Sequence, residues 1–303
     1  MKQNRYSNLI KVIFKLAVTV LFVYLVFTKV DFAETRRIFL QSNLLLLLAG
    51  LAVYLCSFLV STRRSLLYLE DTGIRLGFTE GFRLYLEGVL YNLILPGGVG
   101  GDGYKLFVLR KNSGISGKKI FRAFFFERLS GLWAICLILA CLAFLMPRTV
   151  IPPEWLLAAV TAGTIVYYFV MRRFFPEHAG RFIRAHSLSI LVQCLVMLTV
   201  ICILKAQEKP VDLPAYLFSF QGSTIFSILN IGLSGLGVRE FAMSYASDFL
   251  HTDPAISVFV ASVFWIISTV AALPGLWSIY RGDRKEFMKA GRSWQEETDG
   301  NRE

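Results

Sequence analysis

Asn92-Leu93-Ile94-Leu95-Pro96-Gly97-Gly98-Val99-Gly100-Gly101-Asp102-Gly103-Tyr104-Lys105 decides how this chain is read. One proline and five glycines fall within residues 96–103. Proline removes a helical N–H donor and clashes with the preceding turn, and each glycine weakens a helix by ~1 kcal/mol against alanine, so no continuous helix runs through the stretch. The apolar run before it, 82–95, is too short to cross a bilayer at ~1.5 Å per residue and carries Arg83, Glu87 and Asn92. The expectation is a re-entrant half-helix, with residues 104–112 returning to the side of entry.

A second interrupted run, 216–230, ends in Asn230-Ile231-Gly232-Leu233-Ser234-Gly235-Leu236-Gly237, and residues 238–250 return. Around these two hairpins, 82–112 and 216–250, lie apolar runs at about 10–28, 44–61, 121–145, 156–171, 187–204 and 256–280. The first follows Lys2, Arg5, Lys11 and Lys15 as a signal peptide would, but Thr28-Lys29-Val30-Asp31 offers no small-residue cleavage site. The expected fold is therefore an all-α integral membrane protein of six transmembrane helices plus two re-entrant helical hairpins.

Composition agrees. Of 303 residues, 55% are apolar and 17% charged, against roughly 45–50% and 25% in soluble domains. That excludes a disordered chain, a coiled coil and a disulfide-stapled miniprotein. The five cysteines, Cys56, Cys136, Cys141, Cys194 and Cys202, sit in apolar runs without zinc-ligand spacing. The formal charge of +11 would suggest nucleic acid in a soluble protein, but membrane sidedness explains it better. With the N-terminus inside, the inside loops hold 21 Lys and Arg and the outside loops 6. Both termini are thus expected in the cytoplasm, and each Gly-rich segment must turn back or the later loops land on the wrong side.

Moving the chain by 138 residues lays Asn92–Gly97 on Asn230–Gly235 without a gap, and Gly101-Asp102 on Arg239-Glu240. Each half reads span, span, hairpin, span. Three crossings per half make the halves inverted, the layout of many secondary transporters whose broken helices carry the binding site near the midplane. The expected organisation is a cytoplasmic N-terminus 1–9, membrane repeats 10–145 and 146–280, and a cytoplasmic tail 281–303.

Charge inside a bilayer costs at least ~2.5–3.5 kcal/mol on insertion scales, so intramembrane ionisable residues need a reason. The candidates are Glu87, Asp102, Lys105, Glu127, Arg128, Arg239 and Glu240. Asp102 suits an N-cap of the returning helix, accepting from the amide of Tyr104 or Lys105. In a functional reading, Gly97, Gly98 and Gly101 let the backbone approach a ligand. Half-helix amides and Lys105 then favour a phosphate. At the second loop Arg239 and Glu240 follow Gly235 and Gly237. Neighbours on a helix point about 100° apart, so Arg239 is expected to pair with Asp102 or Glu127, and Glu240 with Lys105 or Arg128. A purely structural ion-pair network is the competing reading. Asn92 and Asn230 bridge half-helices or coordinate a ligand. The basic loop residues Arg172, Arg173, Arg181 and Arg184 suit anionic lipid, although topology explains most of them.

Gly232-Leu233-Ser234-Gly235 matches the Gly-x-Ser-Gly string of rhomboid-type intramembrane proteases. Its nearest later histidine, His251, is too far along a helix to act as base. There is no HExxH, Walker loop or Rossmann fingerprint. Catalytic residues, metal sites and cofactors are not expected.

Pro96 with Gly100–Lys105, then Phe126-Glu127-Arg128, then Gly235-Leu236-Gly237-Val238-Arg239-Glu240 resemble the flippase-like membrane family named for the transmembrane region of lysylphosphatidylglycerol synthase. The resemblance covers about 10–280. Lys105 stands where arginine is common, keeping the charge but losing the bidentate fork. The resemblance implies a multi-pass inner-membrane protein that moves a lipid with a charged headgroup between leaflets. Full-length synthases add a soluble aminoacyltransferase domain. This chain ends at Glu303 after about 20 tail residues, so it is expected to be a stand-alone member and not an enzyme. The headgroup site would comprise Gly97, Gly98, Gly101, Asp102, Lys105, Glu127, Arg128, Asn230, Gly235, Gly237, Arg239 and Glu240. The partners are membrane lipids, a phospholipid or a polyprenyl-phosphate lipid, with self-association left open and nucleic acid excluded. An intramembrane enzyme acting on lipid, or a scaffold subunit, are the rival readings.

Overall fold

The computed structural model describes residues 32–94, 100–146, 152–207, 209–228 and 237–281. Among them the regular structure is helical throughout. The helices are α1 Phe32–Gln41, α2 Leu44–Glu70, α3 Phe78–Ile94, α4 Gly100–Ser113, α5 Gly117–Ala143, α6 Pro153–Phe174, α7 Pro176–Ala179, α8 Phe182–Ala206, α9 Leu213–Ile228, α10 Val238–Leu250, α11 Pro254–Ala272 and α12 Pro274–Arg281.

Their ends follow local chemistry. Asn43 opens α2 by accepting the N–H groups of Leu45 and Leu46 at 3.0 and 3.4 Å. Asp253 opens α11 in the same way, accepting from Ala255 at 2.7 Å, with Pro254 at the first helical position. Five segments are long and apolar enough to cross a membrane: α2, α5, α6, α8, and α11 continued through α12 to Tyr280. Large apolar side chains stay exposed on them, among them Leu45, Phe121, Phe169, Leu198 and Val270. A hydrocarbon-facing surface looks like this, and a water-facing one does not.

The expected first span, about 10–28, lies outside the described residues, as does the tail 282–303. Several boundaries move. The α2 helix runs on to Glu70 where a loop from residue 62 was expected, because Leu66, Leu67 and Leu69 are buried against neighbouring helices. Segment 29–43, expected as a loop, contains α1. The last span is two helices meeting at Leu273-Pro274, where proline interrupts the backbone ladder.

At the centre, α2 and α8 pack antiparallel along their length. At one end a Cβ on Gly50 would sit 3.3 Å from the Cys202 Cβ; at the other, Arg64 Nη1 donates to Ser189 Oγ at 3.1 Å. Small residues let membrane helices approach this closely. One apolar core gathers Val200, Ile203, Phe220, Phe259 and Phe264. A second gathers Tyr68, Leu69, Leu109, Ile120 and Phe126.

The α3 and α4 helices form an antiparallel hairpin. The Gly101 N–H donates to Asn92 Oδ1 at 2.8 Å, and the Tyr104 hydroxyl donates to Glu87 Oε2 at 2.6 Å. A Cβ on Gly101 would lie 2.0 Å from the Gly88 carbonyl oxygen, so only glycine allows this approach. In the second half α9 packs on α10, and α10 on α11. The helix bounds obey the 138-residue offset: α2, α3, α4 and α5 moved by 138 fall on α8, α9, α10 and α11–α12, each end within four residues.

Candidate functional site

Four polar clusters stand out on this frame. In the first hairpin Asp102, in the first turn of α4, receives Lys105 Nζ at 2.9 Å and Arg128 Nε, from α5, at 2.5 Å. The Lys105 stem lies against Gly88, and its ammonium sits 4.4 Å over the Phe124 ring. Lys105 is buried, with Asp102 as its counter-charge.

One turn away, Glu127 accepts the Ser65 hydroxyl at 2.9 Å and faces Arg64 at 3.5 Å. Arg64 continues to Ser189, whose hydroxyl donates to Ser130 at 3.0 Å. This chain of groups joins α2, α5 and α8. Glu87, beyond its bond to Tyr104, accepts the Ser278 hydroxyl at 2.8 Å, fastening the hairpin to α12. At the end of α2, Asp71 holds His178 Nδ1 at 2.9 Å and Arg181 Nε at 3.3 Å, while Glu70 also pairs with Arg181.

The fourth cluster surrounds a cavity of about 300 Å³ between the halves. Asn92 and Leu93 at the end of α3 line it from one side, Ser227, Arg239 and Glu240 from the other, with Tyr54 and Trp265 in its wall. The Arg239 guanidinium lies 4.7 Å from both the Phe220 and Phe264 ring centroids, a double cation–π contact. Its Nε is buried and has no hydrogen-bond partner among the described residues, and the same holds for Trp265 Nε1. Glu240 turns back on its own helix: Oε2 accepts the Gly237 N–H at 2.8 Å. Gly237 has φ 83°, a left-handed conformation that favours glycine.

The expected cross-hairpin pairs are replaced by others. Asp102 takes Lys105 and Arg128, Glu127 takes Ser65 and Arg64, Arg239 rests against the paired rings of Phe220 and Phe264, and Glu240 caps α10. The carboxylates of each hairpin region are met within the same half, because partners one turn or one neighbouring helix away are nearer than those on the opposite hairpin. Asp102 lies inside α4 instead of preceding it, since that helix starts at Gly100. Gly101 serves helix-to-helix contact, with its N–H given to Asn92. Lys105 does not line the Arg239 cavity; it borders a void of about 10 Å³ beside Thr62, Ser65 and Tyr85. Gly97, Gly98, Asn230 and Gly235 fall outside the described residues. Arg181, expected at anionic lipid, is an ion-pair partner of Glu70 and Asp71.

Sequence reading missed Arg64, Ser65, Tyr54 and Trp265. Apolar residues continuing past residue 61 at helical spacing (Leu66, Leu69) were the signal that Arg64 lies within a span. Nothing local marks Tyr54 or Trp265.

No curated protein matches the chain. The family model of the lysylphosphatidylglycerol synthase TM region matches residues 12–275, and with most of its length covered the chain belongs to that family.

Proposed function

We propose that this chain is a lipid transporter, moving a phosphate-bearing lipid between the leaflets of a bacterial-type inner membrane. The carrying observation is the Arg239 cavity. Arg239, whose Nε is buried with no acceptor among the described residues, lines it together with Asn92 and Leu93 of the first hairpin. Its depth suits the role. Tyr54 is the eleventh residue of α2, so it lies ~15 Å along the helix, close to the middle of the apolar stretch 44–61. A cavity of this size sits at the lower end for small-ligand pockets, which suits a headgroup whose acyl or prenyl chains remain in hydrocarbon.

Inverted halves suit alternating access around one central site. Contacts at the α2–α8 crossing support this reading. Gly50 faces Cys202, and the 138 offset turns that pair into Leu188 and Arg64; Arg64 bonds to Ser189, one residue away. A two-fold axis perpendicular to the two antiparallel helices relates such contacts. In this scheme the glycine-bearing hairpins are re-entrant and both termini are cytoplasmic. Arg239 is the anion receptor, and the Asp102–Lys105–Arg128 and Glu127–Arg64 groups hold the first hairpin in place. Catalysis and cofactors play no part.

Reconstitution tests it. Purified protein goes into liposomes with labelled anionic phospholipids, polyprenyl phosphates and a phosphatidylcholine control, scored for movement between leaflets. Phosphate lipids should cross faster than in empty liposomes, Arg239→Ala should stop the movement, and Gly163→Ala, whose added Cβ meets nothing within 4 Å, should not. Equal rates with and without protein for every lipid, or full activity in Arg239→Ala, would sink the proposal.

A further inference from the structure

We propose that Glu240 is an internal anion that competes with the ligand: its carboxylate occupies the anion position at the α10 N-terminus, and a phosphate group must displace it to bind beside Arg239. The inference rests on reading the cavity as the headgroup site.

The first N–H groups of a helix lack helical acceptors and carry about half a positive charge, so they attract anions. In α10, a helix of 13 residues, that attraction is met from within by Glu240 Oε2 on the Gly237 amide at 2.8 Å. Glu240 is 5% exposed, so the carboxylate is held out of water as a ligand would be. The adjacent Arg239 lies against the edge-to-face pair Phe220 and Phe264, which attracts its charge but gives its N–H groups no oxygen acceptor. Two buried donors on residues that line this cavity, Arg239 Nε and Trp265 Nε1, have no acceptor among the described residues.

A phosphate beside Arg239 offers acceptor oxygens to the guanidinium, while the Glu240 carboxylate holds the Gly237 amide one turn of backbone away. Two anions cannot share this volume without strong repulsion in a medium of low polarity. Binding therefore moves Glu240 off its cap. A residue of this kind lowers affinity and speeds release, which a carrier requires of a site that must both load and empty.

The sign of the effect separates this role from that of an ordinary contact residue. The full chain, purified in detergent, is titrated calorimetrically with inorganic phosphate. In a second arm it is placed in phosphatidylcholine nanodiscs with and without phosphatidylglycerol, and its thermal stability is read. Glu240→Gln keeps an acceptor for the Gly237 amide but loses the charge. It should bind inorganic phosphate roughly tenfold or more tightly than the parent. Arg239→Ala should lose binding. Glu240→Ala, deprived of its cap, should melt lower and regain more stability from added phosphate than the parent does.

Unchanged or weaker binding in Glu240→Gln, with parental binding intact and lost in Arg239→Ala, overturns the displacement and leaves the site standing. Absence of phosphate and phosphatidylglycerol effects in both parent and Glu240→Gln overturns the site itself, and the displacement with it. A Glu240→Gln gain with both probes supports displacement by a lipid headgroup. A gain with inorganic phosphate alone supports displacement but overturns a lipid as the ligand.

Discussion

Glu127→Ala is expected to be among the most damaging single changes to this fold. The Glu127 carboxylate receives Ser65 at 2.9 Å and faces Arg64 at 3.5 Å, with 9% and 12% of the two side chains exposed. Removing it leaves the guanidinium in a weakly polar interior, where Arg64 Nε already has no partner among the described residues. Breaking a buried pair from one side costs about 3–5 kcal/mol, because the surviving charge loses its compensation. The folding equilibrium should fall by roughly two to three and a half orders of magnitude. Glu127→Gln should lose less, since its amide oxygen still accepts from Ser65. The double change Arg64→Met with Glu127→Leu should recover most of the loss, because it removes both charges and fills the same space. Equilibrium unfolding in mixed detergent–SDS micelles, followed by circular dichroism, measures all three. The reasoning fails if Glu127→Ala lies within about 1 kcal/mol of the parent, or if the double variant is no more stable than the single one.

Other outcomes follow from the same geometry. Gly101→Ala would place a Cβ 2.0 Å from the Gly88 oxygen, and Gly275→Ala one 2.6 Å from the Leu86 oxygen, so both should lose the monodisperse peak in size-exclusion chromatography. Gly163→Ala, with nothing within 4 Å, should keep it. Asp102→Asn strips the carboxylate from Lys105 and Arg128 together and should destabilise by about 1–3 kcal/mol, part of which Lys105→Met on the same background should return. Asp71→Asn loosens His178 and Arg181, so amide exchange across 176–185 should quicken while exchange in α11 stays slow.

Much of the frame was readable before any coordinates. Long apolar runs predict long helices because the backbone must satisfy its own hydrogen bonds in hydrocarbon. The α10 helix occupies Val238–Leu250, as the residues 238–250 after Gly237 imply. The proline and glycines at 96–103 mark where α3 stops and α4 begins. Helix ends were less readable where polar residues lie inside the helix. Arg63 and Arg64 resemble a loop by charge, yet α2 passes through them to Glu70. The site was half legible. Intramembrane Asp102, Lys105, Glu127, Arg128, Arg239 and Glu240 are conspicuous by their rarity. Their partners were not, since a pairing depends on distances across helices that no linear spacing encodes.

The residue order alone settled that the chain is helical, rich in membrane-length apolar runs, and broken at two glycine-bearing points 138 residues apart. These are local properties, governed by backbone hydrogen bonding and by the free energy of apolar surface. Only the tertiary structure decided which charges neutralise one another, that Gly101 serves packing, and that Arg239 lines a cavity between the halves while Lys105 does not. Electrostatic partners are chosen by proximity in three dimensions, and the packing of α2 against α8 sets that proximity for residues more than a hundred positions apart.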